Sequence, residues 1–143
     1  ARTGKTLYLL GSKPGVAEQA AANLQTKYPG LQIVGTADGY FQDEAQVVET
    51  INAARPDVLF VCLGAPKQEL FMVHHQKQLQ VGLMIGLGGS LDGFAGTVKR
   101  APVWMQRAGL EWLYRLIKEP RRFKRMLRLP KFVLAVLFHK KKR

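Results

Sequence analysis

Four short apolar runs recur along the chain, and a segment with helical spacing separates each run from the next. The runs begin near positions 7, 31, 58 and 81, and their hydrophobicity is continuous rather than alternating. Parallel strands show this pattern because helices cover both faces of a parallel sheet. Strands that alternate with helices are typical of right-handed βαβ units. The pattern therefore predicts an α/β fold, with a Rossmann-like parallel sheet and flanking helices.

The three helices of this sheet unit have recognisable ends. Ser12 is predicted to cap the first helix, which stops at the Tyr28-Pro29-Gly30 sequence. The second helix is expected over residues 43–54. The third opens at Pro66 and is expected to run to about Leu79.

The predicted carboxyl ends of the strands are rich in glycine, at residues 11–15, 64–66 and 86–90. Ligands of parallel sheets bind at these ends, where glycine lets the backbone approach a ligand and a helix N-terminus offers N–H groups to phosphate. The same glycines are equally expected in tight turns. Neither Gly-x-Gly-x-x-Gly nor a P-loop pattern is present. The substrate-binding candidates in these loops are Gly11, Gly64 and Gly88.

Three polar residues stand together at the start of the predicted third helix, next to the expected crevice. Lys67 suits contact with a phosphate, and Gln68 offers both a hydrogen-bond donor and an acceptor. Glu69 is either a substrate ligand or a residue that compensates the helix dipole. All three are predicted to bind substrate.

Asp92 is the one carboxylate in the glycine-rich loop after the fourth strand. It is suited to accept hydrogen bonds from a sugar hydroxyl or a base edge, and equally to form an Asx-type turn. His74 and His75 are interpreted as surface or core histidines, because no third metal ligand accompanies them. Without an Asp-x-Asp signature either, neither a metal nor a cofactor is predicted.

The charge of the chain is concentrated at one end. Residues 1–96 hold seven Lys or Arg against eight Asp or Glu, whereas residues 97–143 hold fifteen against two, within a net charge of +12. A near-neutral α/β part over residues 1–98 and a basic helical appendage over residues 99–143 are therefore predicted. The anionic partner of such an appendage is nucleic acid, phospholipid or a diphosphate-bearing substrate.

The appendage carries two patterns with possible functions. Residues 109–118 predict an amphipathic helix with one apolar and one charged stripe. Arg122 and Arg125 lie three residues apart and therefore point the same way. Arginines grouped in this manner suit bidentate capture of phosphate, although a solvated basic face is the common alternative.

Residues 132–138 are apolar on every side and precede a basic chain end at residues 139–143. A helix of this length spans about 10 Å, against roughly 30 Å of bilayer hydrocarbon, so it cannot cross a membrane. An apolar segment between basic clusters favours the head-group region of an anionic membrane. The alternative is a helix that docks on a partner or on the core.

Two further features bear on the compartment. Cys62 is the single cysteine and lies within an apolar run, which excludes a disulfide framework and favours a reducing, cytosolic compartment. The chain opens at Ala1 without a secretory signal or an initiator methionine. We therefore expect a cytoplasmic protein and, given the missing methionine, a fragment of a longer one.

Several motifs in this chain, taken in order, resemble the WecG/TagA/CpsF family of glycosyltransferases. The likeness covers essentially the whole chain, and its most specific parts are the Pro66-Lys67-Gln68-Glu69 turn and the Gly109-to-Leu116 segment that leads into Glu119-Pro120-Arg121-Arg122. The other matching stretches are Leu9-Leu10-Gly11, Pro14-Gly15-Val16-Ala17, Tyr28-Pro29-Gly30, Gly39-Tyr40-Phe41, Leu63-Gly64-Ala65, Gly88-Gly89 with Asp92 and Gly96, Arg100-Ala101-Pro102, and Arg125.

The resemblance implies a reaction and its site. Family members transfer N-acetylmannosamine or a related sugar from a UDP donor to undecaprenyl-diphosphate-linked N-acetylglucosamine, in teichoic acid, common antigen or capsule synthesis, without an evident metal. Tyr40, Gln68 and Asp92 would surround the nucleotide-sugar. Arg115, Arg122 and Arg125 would close over the site and bind the diphosphate, where they stabilise the leaving group. The basic appendage would hold the enzyme at the inner face of the cell membrane.

The resemblance also implies a further N-terminal part of the family domain, with an Asp-Gly segment that carries the expected general base. This chain begins after that part, so the base is unknown and activity of the chain alone does not follow. A homo-oligomer is also compatible with the sequence.

Two other functions compete with the glycosyltransferase. A nucleic-acid-binding protein accounts for the basic appendage but leaves its apolar segment unexplained, and preference for anionic liposomes over duplex DNA at equal salt would argue against it. The other alternative is a non-catalytic subunit that binds a nucleotide-sugar. The glycosyltransferase is the preferred hypothesis, with no nucleic acid among its partners.

Overall fold

The computed structural model describes residues 1–98 and 101–118. The chain divides into two compact units, one ending at Lys99 and the other beginning at Arg100. The first unit holds four strands and four helices among its described residues: β1 Thr6–Gly11, α1 Val16–Lys27, β2 Gln32–Ala37, α2 Glu44–Ala54, β3 Val58–Cys62, α3 Lys67–His75, β4 Leu83–Gly86 and α4 Ser90–Phe94.

All four strands are parallel and form one sheet in the order β2-β1-β3-β4. The chain thus passes from β1 to one side of the sheet, returns across β1 to β3 on the other side, and continues outward to β4. Each crossover contains a helix, as right-handed βαβ connections require. The predicted α/β fold with a parallel sheet and flanking helices is confirmed.

Both faces of the sheet are covered, which explains the continuous apolar run of β1. Leu7 and Leu9 point into a cluster formed with α1 and α4, whereas Tyr8 and Leu10 point into a second cluster formed with α2 and α3. All four side chains are buried. Successive residues of a strand face opposite sides, so a strand between two helical layers has no solvent-facing position left for a polar residue.

A bulge between β1 and β2 makes room for a tyrosine. Leu7 pairs with Ile33, but Tyr8 pairs with Gly35, so Val34 is left without a partner on β1. A Cβ atom on Gly35 would lie 2.3 Å from Cε2 of Tyr8. The Tyr8 hydroxyl donates to the Thr36 carbonyl at 3.2 Å, and burial raises the pKa of Tyr8. The bulge thus places Gly35 over the Tyr8 ring, where a residue with a side chain would clash.

Most of the predicted helix ends agree with the structure, and two differ. Helix α2 lies within the predicted segment 43–54, and Asp43 caps it, its Oδ1 accepting from the backbone N–H groups of Ala45 and Gln46. Ser12 does not cap α1, which is preceded instead by Gly15 in a left-handed conformation with φ 82°. The prediction for Ser12 is wrong because its hydroxyl bonds a residue far along the chain. Helix α3 ends at His75, one turn before the predicted end.

Asp57 ties together the amino ends of three strands. Its Oδ1 accepts from Lys5 Nζ at 2.7 Å, and its Oδ2 accepts from the Thr6 backbone N–H at 2.8 Å and from the Thr6 hydroxyl at 3.0 Å. Its main-chain carbonyl accepts from the N–H groups of Gly82 and Leu83. The bond from Lys5, followed by those from Thr6, lowers the pKa of Asp57 to about 2.

Asp57→Asn is expected to reduce the amount by which Tm falls in acid. The folded pKa of about 2 lies below the unfolded value of about 3.9, so ionised Asp57 stabilises the fold above about pH 4. That contribution disappears as the pH falls from about 4 to about 2. Thermal unfolding followed by circular dichroism between pH 2 and 7 should show a smaller fall in Tm for the variant across this window. Parallel curves for the two proteins would contradict the assignment.

The second unit is described over residues 101–118 and contains α5 Val103–Arg107 and α6 Glu111–Lys118. Gln106 Nε2 donates to the Ala101 carbonyl at 2.6 Å, and Leu110 N–H donates to the Met105 carbonyl at 2.8 Å across a turn at Gly109. The predicted amphipathic helix is therefore present from Glu111. None of the helices in the described part of the chain is both long and apolar enough to cross a bilayer. The apolar segment 132–138 and the basic residues 139–143 lie outside the described residues.

Candidate functional site

The carboxyl ends of β1 and β3 lie side by side where the strand order changes direction. The chain leaves β1 toward α1 on one face and leaves β3 toward α3 on the other, which opens a crevice between the two loops. A cleft of about 300 Å³ lies at this edge. It is lined by Ser12, Lys13, Gly39, Tyr40, Cys62, Leu63 and Asp92. The ligand crevice expected from the sequence is therefore present in the sheet unit.

Gly11 allows β1 and β3 to approach each other at the base of the cleft. Its φ is 129°, and a Cβ atom there would lie 2.3 Å from the carbonyl oxygen of Cys62. The next residue, Ser12, donates its N–H to that same carbonyl at 3.3 Å. Only glycine fits this conformation and this distance. Gly11 thus has a structural reason to be in the loop, and its predicted role in substrate binding stays a prediction.

Tyr40 and Asp92 both line the cleft. Tyr40 follows β2, its backbone N–H donates to Asp38 Oδ1 at 2.7 Å, and its side chain is 66% exposed. Asp92 lies on α4, and its Oδ1 accepts from the Ser12 hydroxyl at 2.9 Å. The main-chain carbonyl of Asp92 accepts turn bonds from Thr97 and Val98. An Asx-type turn would use the carboxylate, whose described bond is instead with Ser12, so these contacts do not show that turn. The predicted contact of Asp92 with a sugar or a base stays a prediction.

Lys67 supports the wall that carries Tyr40. Its Nζ donates to the Gly39 carbonyl at 3.0 Å and lies 4.5 Å from the centroid of the Phe41 ring. These contacts hold the residues on both sides of Tyr40. The described contacts of Lys67 are therefore with the protein, and its predicted contact with phosphate is not tested by them.

Gln68 links the two glycine-rich loops that follow β3 and β4. Its Oε1 accepts from the Gly88 N–H at 2.8 Å, its Nε2 donates to Glu69 Oε1 at 2.8 Å, and its side chain is buried. A Cβ atom on Gly86 would lie 2.8 Å from Gln68 Nε2. Gln68 is therefore buried and is not among the residues that line the cleft, whereas Glu69 is exposed. Their predicted contacts with substrate stay predictions.

Two predicted glycines shape these same loops. Gly64 has a φ of 75° and its carbonyl accepts from the Gln68 N–H, while Gly88 has a φ of 56°. Both conformations favour glycine over residues with a Cβ atom. Neither glycine lines the cleft, so the structure supports a turn function for them and leaves substrate contact as a prediction.

Cys62 contributes to the cleft wall but is a poor nucleophile. Burial, and then the nearby Asp92 carboxylate, raises the pKa of the Cys62 thiol to about 11. A thiol with this pKa stays protonated at neutral pH and reacts slowly. The cleft therefore has no activated thiol at this position.

The two histidines lie on α3 away from the cleft. His75 Nε2 lies 2.7 Å from Glu44 Oε2 and its ring packs on Phe71, while His74 is exposed. The hydrogen bond to Glu44 raises the pKa of His75. Within residues 1–98 and 101–118, no three His, Cys, Asp or Glu side chains are grouped as metal ligands. His75 therefore joins α2 to α3.

The family model described as Glycosyl transferase WecG/TagA/CpsF family matches residues 1–143. The chain belongs to this family. It is 46% identical over 137 residues to the N-acetylglucosaminyldiphosphoundecaprenol N-acetyl-β-D-mannosaminyltransferase of Bacillus subtilis strain 168. These aligned residues cover 96% of this chain and 54% of that protein. The protein of the same name from Bacillus spizizenii strain W23 is 41% identical over 137 residues, which cover 96% of this chain and 53% of that protein. The chain thus spans about half the length of these relatives.

The structure brings together only part of the residue set that the WecG/TagA/CpsF resemblance implies. Tyr40 and Asp92 line one cleft, whereas Gln68 is buried and is not among its lining residues. Arg115 belongs to α6, but its side chain lies outside the described residues, as do Arg122 and Arg125 entirely. The predicted closure of the arginines over the site therefore stays a prediction.

Five cleft residues are absent from the sequence predictions for substrate binding in this member of the WecG/TagA/CpsF family. They are Ser12, Lys13, Gly39, Cys62 and Leu63. Each comes at or just after the carboxyl end of a strand, and these ends meet at one edge of a parallel sheet. Their position at the strand ends is the signal that could have identified them.

Proposed function

We propose that this chain binds the UDP-sugar donor of a glycosyltransferase that moves N-acetylmannosamine, or a related sugar, onto undecaprenyl-diphosphate-linked N-acetylglucosamine. The observation that carries the proposal is the cleft at the change of strand order, bordered by Tyr40 and Asp92. The names of the two Bacillus relatives describe this sugar transfer and this lipid acceptor. Cell-wall teichoic acid, common antigen or capsular polysaccharide synthesis is the process that needs such a product.

The cleft offers chemistry that suits a nucleotide-sugar. The exposed Tyr40 ring presents a flat apolar surface on which a base can stack. The carboxylate of Asp92 accepts hydrogen bonds from a ribose or sugar hydroxyl. Lys13 borders the same cleft and brings a positive charge for a diphosphate. A volume of about 300 Å³ lies at the lower end of the range for small-molecule clefts.

The appendage supplies the second half of the proposal. Arg115, Arg122 and Arg125 bind the diphosphate and stabilise the negative charge that develops on UDP as it leaves. The fifteen Lys and Arg of residues 97–143 also attract an anionic membrane surface. The enzyme would then act from the cytoplasm at the inner face of the bacterial membrane, where the lipid-linked acceptor is found. Its general base is not assigned to any residue of this chain.

The test is acceptor-dependent release of UDP from UDP-N-acetylmannosamine, with a lipid-diphosphate-linked N-acetylglucosamine analogue. It is to be made with this chain and with the product of its complete reading frame. We expect release by the complete product, reduced roughly 100-fold or more by Arg115→Ala, Arg122→Ala or Arg125→Ala, because each removes charge stabilisation of the leaving group.

The matched control is Arg2→Ala, which removes an exposed arginine just before the amino end of β1 and should leave the rate unchanged. Release by the complete product but not by this chain would assign the missing step to residues outside the chain. Failure of the complete product to release UDP from any of several UDP-sugars would overturn the donor assignment. Tight binding of a UDP-sugar without turnover would favour the non-catalytic subunit.

A further inference from the structure

Ser12 is hydrogen-bonded to three separate walls of the cleft. Its N–H donates to the Cys62 carbonyl at 3.3 Å, and its carbonyl accepts from the Gly39 N–H at 2.8 Å. Its hydroxyl donates to Asp92 Oδ1 at 2.9 Å across 80 positions of sequence. The ends of β1, β2 and β3 and the helix α4 therefore meet at one side chain and its backbone.

The backbone of Ser12 adopts a conformation that residues with a Cβ atom rarely take. Its φ is 65°, and it follows Gly11 with a φ of 129°. Such a conformation persists where the surroundings fix it, and functional sites are enriched in it. The two backbone bonds of Ser12 fix it here. They aim the Ser12 hydroxyl toward α4 and its carboxylate.

The Asp92 side chain is held by a hydrogen bond near the start of a short helix. Asp92 lies on α4, a helix of five residues, and is half-buried. A Cβ atom on Gly89 would lie 3.6 Å from Asp92 Oδ2, so the second carboxylate oxygen lies near the residue that precedes the helix. Among the described residues, the hydrogen bond to the carboxylate comes from Ser12. That bond selects one side-chain rotamer of Asp92.

We propose that Ser12 is a positioning residue, which holds Asp92 Oδ1 and thereby fixes the orientation of the Asp92 carboxylate for a hydroxyl or N–H group of the nucleotide-sugar bound in the cleft. The proposal rests on the proposed function of the cleft. The Ser12 hydroxyl donates its single proton to Asp92, so Ser12 can only accept hydrogen bonds from the UDP-sugar. Its contribution to donor binding therefore passes through Asp92.

The kinetic test compares Ser12→Ala, Ser12→Gly and Asp92→Ala, singly and combined, in the product of the complete reading frame. Loss of a hydrogen bond to a charged group is expected to raise the KM for the UDP-sugar about tenfold in both Ser12 variants. In the Asp92→Ala background, Ser12→Ala should change KM less than twofold, because the residue that it positions is gone. If the increases in KM of Ser12→Ala and Asp92→Ala multiplied in the double variant, the proposal would be overturned. A wild-type KM in Ser12→Ala would also overturn it.

Ser12→Gly distinguishes the effect of losing the hydroxyl from the effect of backbone strain. Glycine takes a φ of 65° freely, so Ser12→Gly should unfold at a Tm no lower than that of Ser12→Ala while losing the same affinity. If KM followed Tm across the two variants instead, Ser12 would be a structural residue only and the proposal would fail.

A second measurement needs no turnover. Three-bond couplings to the Asp92 β protons, recorded by NMR on this chain, should report one rotamer in the wild type and averaged rotamers in Ser12→Ala. Unchanged couplings would overturn the positioning role even if the enzyme were active. Averaged couplings, in a protein that releases no UDP, would support the positioning role while the proposed function failed.

Discussion

Gly11→Ala is expected to destabilise the α/β unit by about 3–6 kcal/mol. Two costs combine. A φ of 129° is strained for alanine, and the new methyl carbon would lie 2.3 Å from the Cys62 carbonyl oxygen. Because that oxygen belongs to the backbone of the central strand β3, it cannot move aside as a flexible side chain would. Urea unfolding followed by circular dichroism measures the change in free energy.

Gly30→Ala is the matched control for this substitution. Gly30 also has a positive φ, 84°, but a Cβ atom there has no neighbour within 4 Å. It should therefore cost only about 1 kcal/mol, the conformational part alone. If the two variants were equally stable, close approach of β1 to β3 would not be the reason for glycine at position 11.

The architecture of the sheet was accessible from sequence because it depends on local patterns. Residues 7–10 and 58–61 are continuous apolar runs, and the structure buries β1 and β3 between two layers of helices. The helix predicted over residues 43–54 is α2, and its start coincides with a local cap by Asp43. Periodicity and capping involve neighbours in sequence, and both features are therefore visible in a single chain.

Features that depend on distant partners were not accessible. Ser12 has the composition and place of a helix cap, yet its hydroxyl bonds Asp92, 80 positions away. The β-bulge that leaves Val34 unpaired on β1 likewise depends on how Tyr8 packs against Gly35 on the neighbouring strand. In both cases a long-range contact outweighs a local preference that is worth only about 1 kcal/mol.

The candidate site was also only partly predictable from sequence. Tyr40 was predicted from the family resemblance and Asp92 from its loop position as well, and the parallel sheet brings both to one cleft. Gln68 was predicted on the same two grounds, but the structure buries it, and its Oε1 accepts from the Gly88 N–H. A sequence motif identifies which residues matter together. It does not distinguish a side chain that borders a ligand from one that fixes the loop beneath it.

Asp92→Asn is expected to lower kcat/KM for the UDP-sugar by about 10- to 100-fold in the product of the complete reading frame. The amide oxygen can still accept from the Ser12 hydroxyl, so the loop geometry should persist. The position that borders the cleft, however, loses its charge, and hydrogen bonds to charged groups contribute about 1.5–3 kcal/mol. A tenfold change in kcat/KM corresponds to about 1.4 kcal/mol. Initial rates at several donor concentrations give kcat and KM separately.

Glu49→Gln provides the matched control, because it neutralises an exposed carboxylate on α2 that does not line the cleft. Its kcat/KM should equal that of the wild type. A loss in Asp92→Asn confined to KM would mean that the carboxylate holds the donor equally in the ground and transition states. A loss of kcat and kcat/KM by the same factor would place its bond in the transition state alone. Wild-type kcat/KM in Asp92→Asn would remove the Asp92 carboxylate from donor recognition and leave Tyr40 and Lys13 as the cleft residues to test.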